Sequence, residues 1–120
     1  MRRVSLISTG GTIEKTYNAL SGVLDNEVSV LDVMLGQLRL TGVKLDRVQL
    51  MNKDSLEMTG RDHKLIAFTV EAMLANHDGV IVVHGTDTLE ESGEACYQRF
   101  LHSEQELNGP VIFTGAMRPY

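Results

Sequence analysis

The sequence predicts an α/β fold in which a mostly parallel sheet carries helices on both of its faces, a doubly wound arrangement. Two observations lead to this prediction. Short, nearly continuous apolar runs recur along the chain, as is typical of parallel strands that are covered on both sides. Between these runs, apolar residues recur at the i, i+3, i+4, i+7 spacing of one helix face. Such alternation of strands and helices is the pattern of flavodoxin-like or Rossmann-like folds.

The predicted strands are apolar runs that border turn-forming or polar segments. GVIVV is the strongest of them, because its apolar residues are consecutive and β-branched. The predicted strands are VSLIS (4–8), RVQLM (47–51), GVIVV (79–83) and PVIFT (110–114).

Three apolar stripes between the strands predict helices. Thr59 is expected to be the N-cap of the second helix, and Thr88 with Glu91 forms the spacing of a capping box at the start of the third. The segment 14–27 is irregular and too long for a tight turn, and loops of this kind are often lids or binding loops. The stripes comprise Leu31, Met34, Leu35 and Leu38; Ile66, Val70, Met73 and Leu74; and Gly93, Cys96, Tyr97, Phe100 and Leu101.

Length, charge and cysteine content narrow the class of protein. A chain of 120 residues predicts one domain over 1–120. The net charge of −5 and the scattered Lys and Arg argue against a nucleic-acid partner, which needs a basic stripe. The single cysteine, Cys96, fits a reducing compartment. No stretch has the apolar length of a signal peptide or a membrane span, so we expect a cytoplasmic protein without a membrane partner.

Polar and glycine-rich segments follow each predicted strand. Because ligands of open parallel sheets bind outside the carboxyl ends of the strands, these segments are expected to converge on one edge. Within HGTDT (84–88), a helix cap explains Thr88 but not Thr86 and Asp87, and a hydroxyl beside a carboxylate suits the positioning of a nucleophile, a water or an ammonium. The segments are STGGT (8–12), MNKDS (51–55), HGTDT (84–88) and TGAMRP (114–119).

Several of these residues also have a purely structural interpretation. STGGT can be a turn with Thr12 as an N-cap, or its glycines can let N–H groups approach an oxyanion. Ser55 can be an ordinary turn former, and Arg118 can pair with a nearby acid. His84 is expected to be hydrogen-bonded to its neighbours, and Cys96 to be a buried small hydrophobe. The histidines lack any metal-ligand spacing, so no metal site is predicted.

In this order and at this spacing, STGGTIE (8–14), DSLEMT (54–59), VVHGTDTLEES (82–92) and FTGAMRP (113–119) resemble the bacterial-type L-asparaginase family. The similarity spans essentially the whole chain and corresponds to the larger, N-terminal domain of that family. An archaeal relative with the same domain, a subunit that releases ammonia from glutamine for tRNA amidation, shares the TGGTI and HGTDT motifs. The resemblance implies hydrolysis of L-asparagine, or of L-glutamine, by a homo-oligomer that needs no cofactor.

The resemblance also implies catalytic roles, carried over where residues match. Thr12 would be the nucleophile that forms an acyl-enzyme, and Tyr17 would be the tyrosine of the loop that follows. Thr86 and Asp87 would belong to the second catalytic group. Backbone N–H groups near Gly11 and Thr86 would form the oxyanion hole.

Substrate-binding roles follow from the same resemblance. Ser55 would bind the α-carboxylate, Asp87 would bind the α-ammonium, and Ala116 would line the pocket, with Gly11 and Thr86 beside it. No metal is implied.

The sequence departs from the family pattern in ways that keep three hypotheses open. The family's second catalytic group contains a lysine well downstream of GAMRP, and neither Lys15 nor Lys53 is its equivalent. The family's smaller C-terminal domain is absent, and Leu56 stands where many relatives place a polar residue. The hypotheses are an asparaginase using Thr12, which is impaired if the chain ends at Tyr120; a non-catalytic or truncated amino-acid-binding domain; and the glutamine-amidase subunit of a tRNA amidotransferase.

Overall fold

The fold is an α/β sandwich built on a parallel sheet, as predicted. The computed structural model describes residues 1–11, 16–18, 23–25, 30–103 and 107–117. The strands of its main sheet are β1 (Arg2–Ser8), β4 (Val43–Gln49), β5 (Gly79–Val83) and β6 (Val111–Thr114). They lie in the order β4-β1-β5-β6, and all neighbouring strands are parallel.

Helices cover both faces of this sheet. The helices are α1 (Val30–Gly36), α2 (Gly60–Leu74) and α3 (Leu89–Leu101), and a short 3-10 turn spans Ser55–Glu57. On one face, Ile7 of β1 packs with residues of α2 and α3 such as Ile66 and Cys96. On the other face, Leu6 of β1 packs against Leu31 of α1. Alternate residues of one central strand therefore point into two different cores.

The strand prediction is correct at the centre of the sheet and wrong at one edge. Gly79–Val83 has the predicted bounds, because β-branched residues between two neighbouring strands are covered on both faces. The apolar pattern predicts the second strand at 47–51, but this strand spans Val43–Gln49. Within the described ranges it is an edge strand that pairs with β1 alone, and it carries alternating polar residues, so its apolar run does not mark its extent.

The segment 14–27, predicted to be irregular, contains a short antiparallel ribbon. Its strands are β2 (Thr16–Asn18) and β3 (Val23–Asp25), and Tyr17 pairs with Leu24. The positions between and around these strands lie outside the described residues. The ribbon follows the glycine-rich end of β1 in the sequence.

The two predicted helix caps have different outcomes. Thr59 caps α2 as predicted, and its partner in the capping box is Asp62, whose carboxylate accepts from the Thr59 N–H. The predicted capping box of Thr88 and Glu91 is wrong, because the Thr88 hydroxyl donates to the Ser55 carbonyl at 2.8 Å instead. A tertiary hydrogen bond has replaced a local one, and it ties the start of α3 to the 3-10 turn.

The apolar stripe predicted on α3 is buried only in part. Cys96 lies in the core and Phe100 packs against it, whereas Tyr97 and Leu101 are each 59% exposed. Helix α3 contacts α2 and β6, so one edge of the stripe faces the core and the other faces solvent. Among the helices of the described ranges, none is both long and apolar enough to cross a bilayer.

Cys96 is expected to resist alkylation in the folded protein. Its side chain is 4% exposed, and burial raises the pKa of its thiol to about 12, although the charge of Arg99 acts in the opposite direction. Since the thiolate is the nucleophile, iodoacetamide near pH 8 should label Cys96 slowly in native protein and rapidly in urea. Mass spectrometry measures the labelling in both states, and equal rates would contradict the burial of Cys96.

Candidate active site

The glycines after β1 bring its loop into backbone contact with the loop after β5. Gly10 and Gly11 have φ values of 105° and 92°, which side-chain-bearing residues rarely adopt. A Cβ on Gly11 would lie 2.7 Å from Gly85 N and 2.8 Å from Gly85 Cα. The peptide groups therefore touch at this point, and Thr12 and Thr86 each follow one of the touching glycines in the sequence.

The loop after β4 closes against the same two loops. The Lys53 N–H donates to the Thr9 carbonyl at 2.9 Å, and a Cβ on Gly10 would lie 2.6 Å from the Lys53 backbone nitrogen. A Cβ on Gly85 would lie 2.7 Å from the Ser55 hydroxyl oxygen. The ends of three neighbouring strands thus meet around Gly85.

The loop after β6 completes this edge of the sheet. The His84 N–H donates to the Thr114 carbonyl at 2.9 Å. A Cβ on Gly115 would overlap the His84 carbonyl oxygen and would lie 3.3 Å from the Thr86 Cγ2 atom. Ala116 follows this contact and is half-buried. The segments after all four strands are therefore packed side by side, and we call the space outside them the crevice.

Exposed and buried polar groups meet at the crevice. Thr86 and Asp87 are exposed, whereas Ser55 is 1% exposed. The Ser55 hydroxyl is buried and makes no hydrogen bond within the described part of the chain. A buried hydroxyl without a partner costs about 1–3 kcal/mol, so a polar ligand atom would relieve it.

Lys53 lies beside this region, but its ammonium is engaged with a helix cap. Its Nζ atom is 2.9 and 3.1 Å from the carboxylate oxygens of Asp62. The backbone N–H of Thr59, followed by the Lys53 ammonium, lowers the pKa of the Asp62 carboxyl below its ordinary value. The Lys53 ammonium therefore stabilises the start of α2 through its ion pair with Asp62.

His84 is buried and hydrogen-bonded to its neighbours, as the sequence predicts. Its Nδ1 atom is 2.7 Å from the Gly85 carbonyl oxygen and its Nε2 atom is 2.8 Å from the Ser92 hydroxyl. Burial lowers the pKa of the His84 ring, and the hydrogen bond to Gly85 opposes that effect. The second histidine of this network, His63, lies 2.6 Å from the same hydroxyl through Nδ1.

The structure brings together most of the predicted site residues that it describes. Gly11, Ser55, Thr86 and Ala116 lie on the loops that pack around the crevice, and Asp87 directly follows Thr86. The remaining candidates, Thr12, Arg118, Lys15 and the side chain of Tyr17, lie outside the described residues. The described residues include no group of three or more His, Cys, Asp or Glu that could hold a metal ion.

Sequence reasoning missed the residues that hold the loops together. Gly85 and Gly115 permit close backbone contacts, and His63 and Ser92 connect the helices to the HGTDT turn. A glycine one or two positions after the end of a strand was the available signal for the first pair. No local pattern marks the second pair, because it is formed by residues 29 positions apart.

These features define an α/β protein whose polar loops gather at the carboxyl edge of a parallel sheet. The family model described as the N-terminal domain of asparaginase matches residues 3–120. The chain therefore belongs to the asparaginase family.

Individual relatives agree with this assignment. A probable L-asparaginase of Deinococcus radiodurans is 34% identical, and the match covers 97% of this chain and 33% of the relative. A glutamyl-tRNA(Gln) amidotransferase subunit of Haloquadratum walsbyi is 36% identical, and the match covers 96% of this chain and 25% of that relative. The solved structure of the thermostable L-asparaginase from Thermococcus kodakarensis has a TM-score of 0.79 at 28% identity. The match covers 98% of this chain and 34% of that protein. The chain thus spans about a third or less of the length of these proteins.

Proposed function

We propose that this chain is the nucleophile-bearing domain of an amidohydrolase that converts L-asparagine to L-aspartate and ammonia. The observation that carries the proposal is the backbone contact between Gly11 and Gly85. That contact holds the residues preceding Thr12 and Thr86 together, which supports the proposal that two hydroxyls separated by more than seventy positions act in one crevice. Membership of the asparaginase family and relatives named L-asparaginase support the reaction class.

Thr12 is the proposed nucleophile. Its hydroxyl oxygen attacks the side-chain amide carbon, and backbone N–H groups near Gly11 and Thr86 stabilise the oxyanion that forms. Collapse of the tetrahedral intermediate breaks the C–N bond, and the protonated nitrogen leaves as ammonia. Water then attacks the acyl ester, which releases aspartate and returns the proton to Thr12. Tyr17, Thr86 and Asp87 are the proposed groups that move protons in these steps.

The amino-acid part of the substrate is assigned to three residues of the crevice loops. The Ser55 hydroxyl, buried and without a partner in the described structure, would bind the α-carboxylate. The exposed carboxylate of Asp87 would bind the α-ammonium, and the half-buried Ala116 would contact the carbon chain.

Asp87→Asn is expected to lower kcat/KM for L-asparagine about 10- to 100-fold, because a hydrogen bond to a charged group contributes about 1.5–3 kcal/mol. Steady-state ammonia release measures this change. Glu90→Gln is the matched control, since it removes an exposed carboxylate at the start of α3, just beyond the crevice. Equal losses in both variants would show that net charge, not a bound ammonium, is responsible.

Glutamine hydrolysis within a larger assembly is the second candidate function. It is favoured by the similarity to the glutamyl-tRNA(Gln) amidotransferase subunit of Haloquadratum walsbyi. Comparing ammonia release from L-asparagine and from L-glutamine separates the two activities. A kcat/KM for glutamine that exceeds that for asparagine would support the second candidate over the first.

A non-catalytic amino-acid-binding domain is the third candidate, because Lys53, which lies beside the crevice, is paired with Asp62. Calorimetry with L-aspartate tests it. Heat of binding without ammonia release would support a binding domain, whereas turnover of either amide would exclude it.

We further propose that residues 1–120 form one α/β domain of a cytoplasmic protein that self-associates. The single cysteine and the family resemblance support these assignments. Sedimentation of an active preparation tests the association, and a monomer at assay concentration would contradict it.

A further inference from the structure

A buried polar network joins α2 and α3 to the turn after β5. Ser92 is fully buried at 0% exposure, and its hydroxyl lies 2.6 Å from His63 Nδ1 and 2.8 Å from His84 Nε2. The two rings are stacked, with centroids 6.2 Å apart and planes 11° apart. We call these three residues, His63, Ser92 and His84, the buried histidine chain.

The hydrogen bonds of this chain fix its direction. A carbonyl oxygen only accepts, so the Nδ1 atom that contacts the Gly85 carbonyl must carry the proton of the neutral His84 ring. Its Nε2 atom is then an acceptor, and the Ser92 hydroxyl must donate to it. The hydroxyl oxygen is left to accept from Nδ1–H of His63.

The far end of the chain lies against a carboxylate. His63 Nε2 lies 3.1 Å from Glu91 Oε2, but the carboxylate is out of line for a hydrogen bond. Burial lowers the pKa of the His84 ring, which favours the neutral ring from which this donor pattern follows. The buried histidine chain therefore has one defined donor in each of its hydrogen bonds, from His63 to Ser92, from Ser92 to His84 and from His84 to the Gly85 carbonyl.

The Gly85 carbonyl determines where the next N–H points. The described peptide bonds include no cis bond, and in a trans peptide the C=O and N–H groups point in opposite directions. Because the Gly85 carbonyl accepts a hydrogen bond from the buried His84 ring, the N–H of Thr86 points away from the core. That N–H meets no acceptor within the described residues, and Thr86 itself is exposed.

We propose that the buried histidine chain positions the peptide between Gly85 and Thr86, so that its N–H points into the crevice as an oxyanion donor. Its members are positioning residues, since they act through the peptide and do not touch the substrate. The catalytic part of this proposal rests on the proposed amidohydrolase function, whereas the orientation of the peptide does not.

Ser92→Ala is the decisive variant, because it removes the bridging hydroxyl with little change in volume. We expect kcat for amide hydrolysis to fall about 10- to 100-fold with KM nearly unchanged, since an oxyanion donor acts in the transition state. Ser5→Ala is the matched control: Ser5 is also 0% exposed, and its hydroxyl makes no hydrogen bond in the described structure. The control should retain wild-type kcat.

Nitrogen NMR of the imidazole rings and of the Thr86 amide supplies a readout that does not depend on activity. We expect His84 to carry its proton on Nδ1 in the wild type, and the Thr86 amide resonance to move in Ser92→Ala but not in Ser5→Ala. A proton on Nε2 of His84, or a kcat in Ser92→Ala within twofold of the control, would overturn the proposal. If the wild type hydrolyses neither L-asparagine nor L-glutamine, the proposed function fails. The positioning role would then be overturned by a Thr86 backbone amide resonance that stays in place in Ser92→Ala.

Discussion

Thr12→Ala is expected to reduce ammonia release from L-asparagine by about 10⁴-fold or more, while leaving the fold intact. Removal of a nucleophile eliminates the covalent route, and only the contribution of substrate binding and oxyanion stabilisation remains. Single-turnover and steady-state ammonia measurements on both proteins report the change.

Thr12→Ser is the matched control for this variant, because it keeps the hydroxyl and removes only a methyl group. It should retain most of the activity, whereas a variant that simply unfolds would lose its thermal transition as well. Equal rates for the wild type and Thr12→Ala would remove Thr12 from the mechanism and leave the family resemblance without its nucleophile.

Gly11→Ala is expected to lower both stability and activity strongly. An alanine at a φ of 92° costs about 1–2 kcal/mol, and its Cβ would lie 2.7 Å from the Gly85 backbone nitrogen. The two loops must move apart, and a displacement of about 1 Å at an active site can cost about 10²-fold in rate. Urea unfolding and ammonia release measure the two losses.

Gly42→Ala separates backbone strain from the contact between loops. Gly42 also has a positive φ, 78°, but a Cβ there would meet no atom within 4 Å. It should therefore lose about 1–2 kcal/mol of stability and keep its activity. If Gly11→Ala and Gly42→Ala behave alike, the approach of Gly11 to Gly85 has no role in forming the crevice.

The elements that the sequence predicts correctly are those whose signals are local. β5 has the bounds expected from its β-branched run, and Thr59 caps α2 as its position indicates. The predicted second strand is misplaced because an edge strand needs no continuous apolar run. The predicted capping box of Thr88 is wrong because a carbonyl 33 residues away, that of Ser55, competes for the same hydroxyl.

The predicted convergence of polar loops follows from topology, but their mutual contacts do not. Parallel strands bring their carboxyl ends to one edge, so the sequence alone could place Ser55 and Thr86 together. The tight approach of Gly10 to Lys53, and of Gly85 to Ser55, depends on how far each loop folds back. No periodic pattern in the sequence indicates such tertiary distances.

A crystal structure of the protein with L-aspartate bound tests the central claim most directly, by the distance from each threonine hydroxyl to the ligand. We predict that the Thr12 and Thr86 hydroxyls lie within hydrogen-bond distance of the same side-chain carboxylate, with the α-carboxylate on Ser55. Hydroxyls that face separate cavities, or a ligand that contacts only one of them, would contradict a shared catalytic crevice.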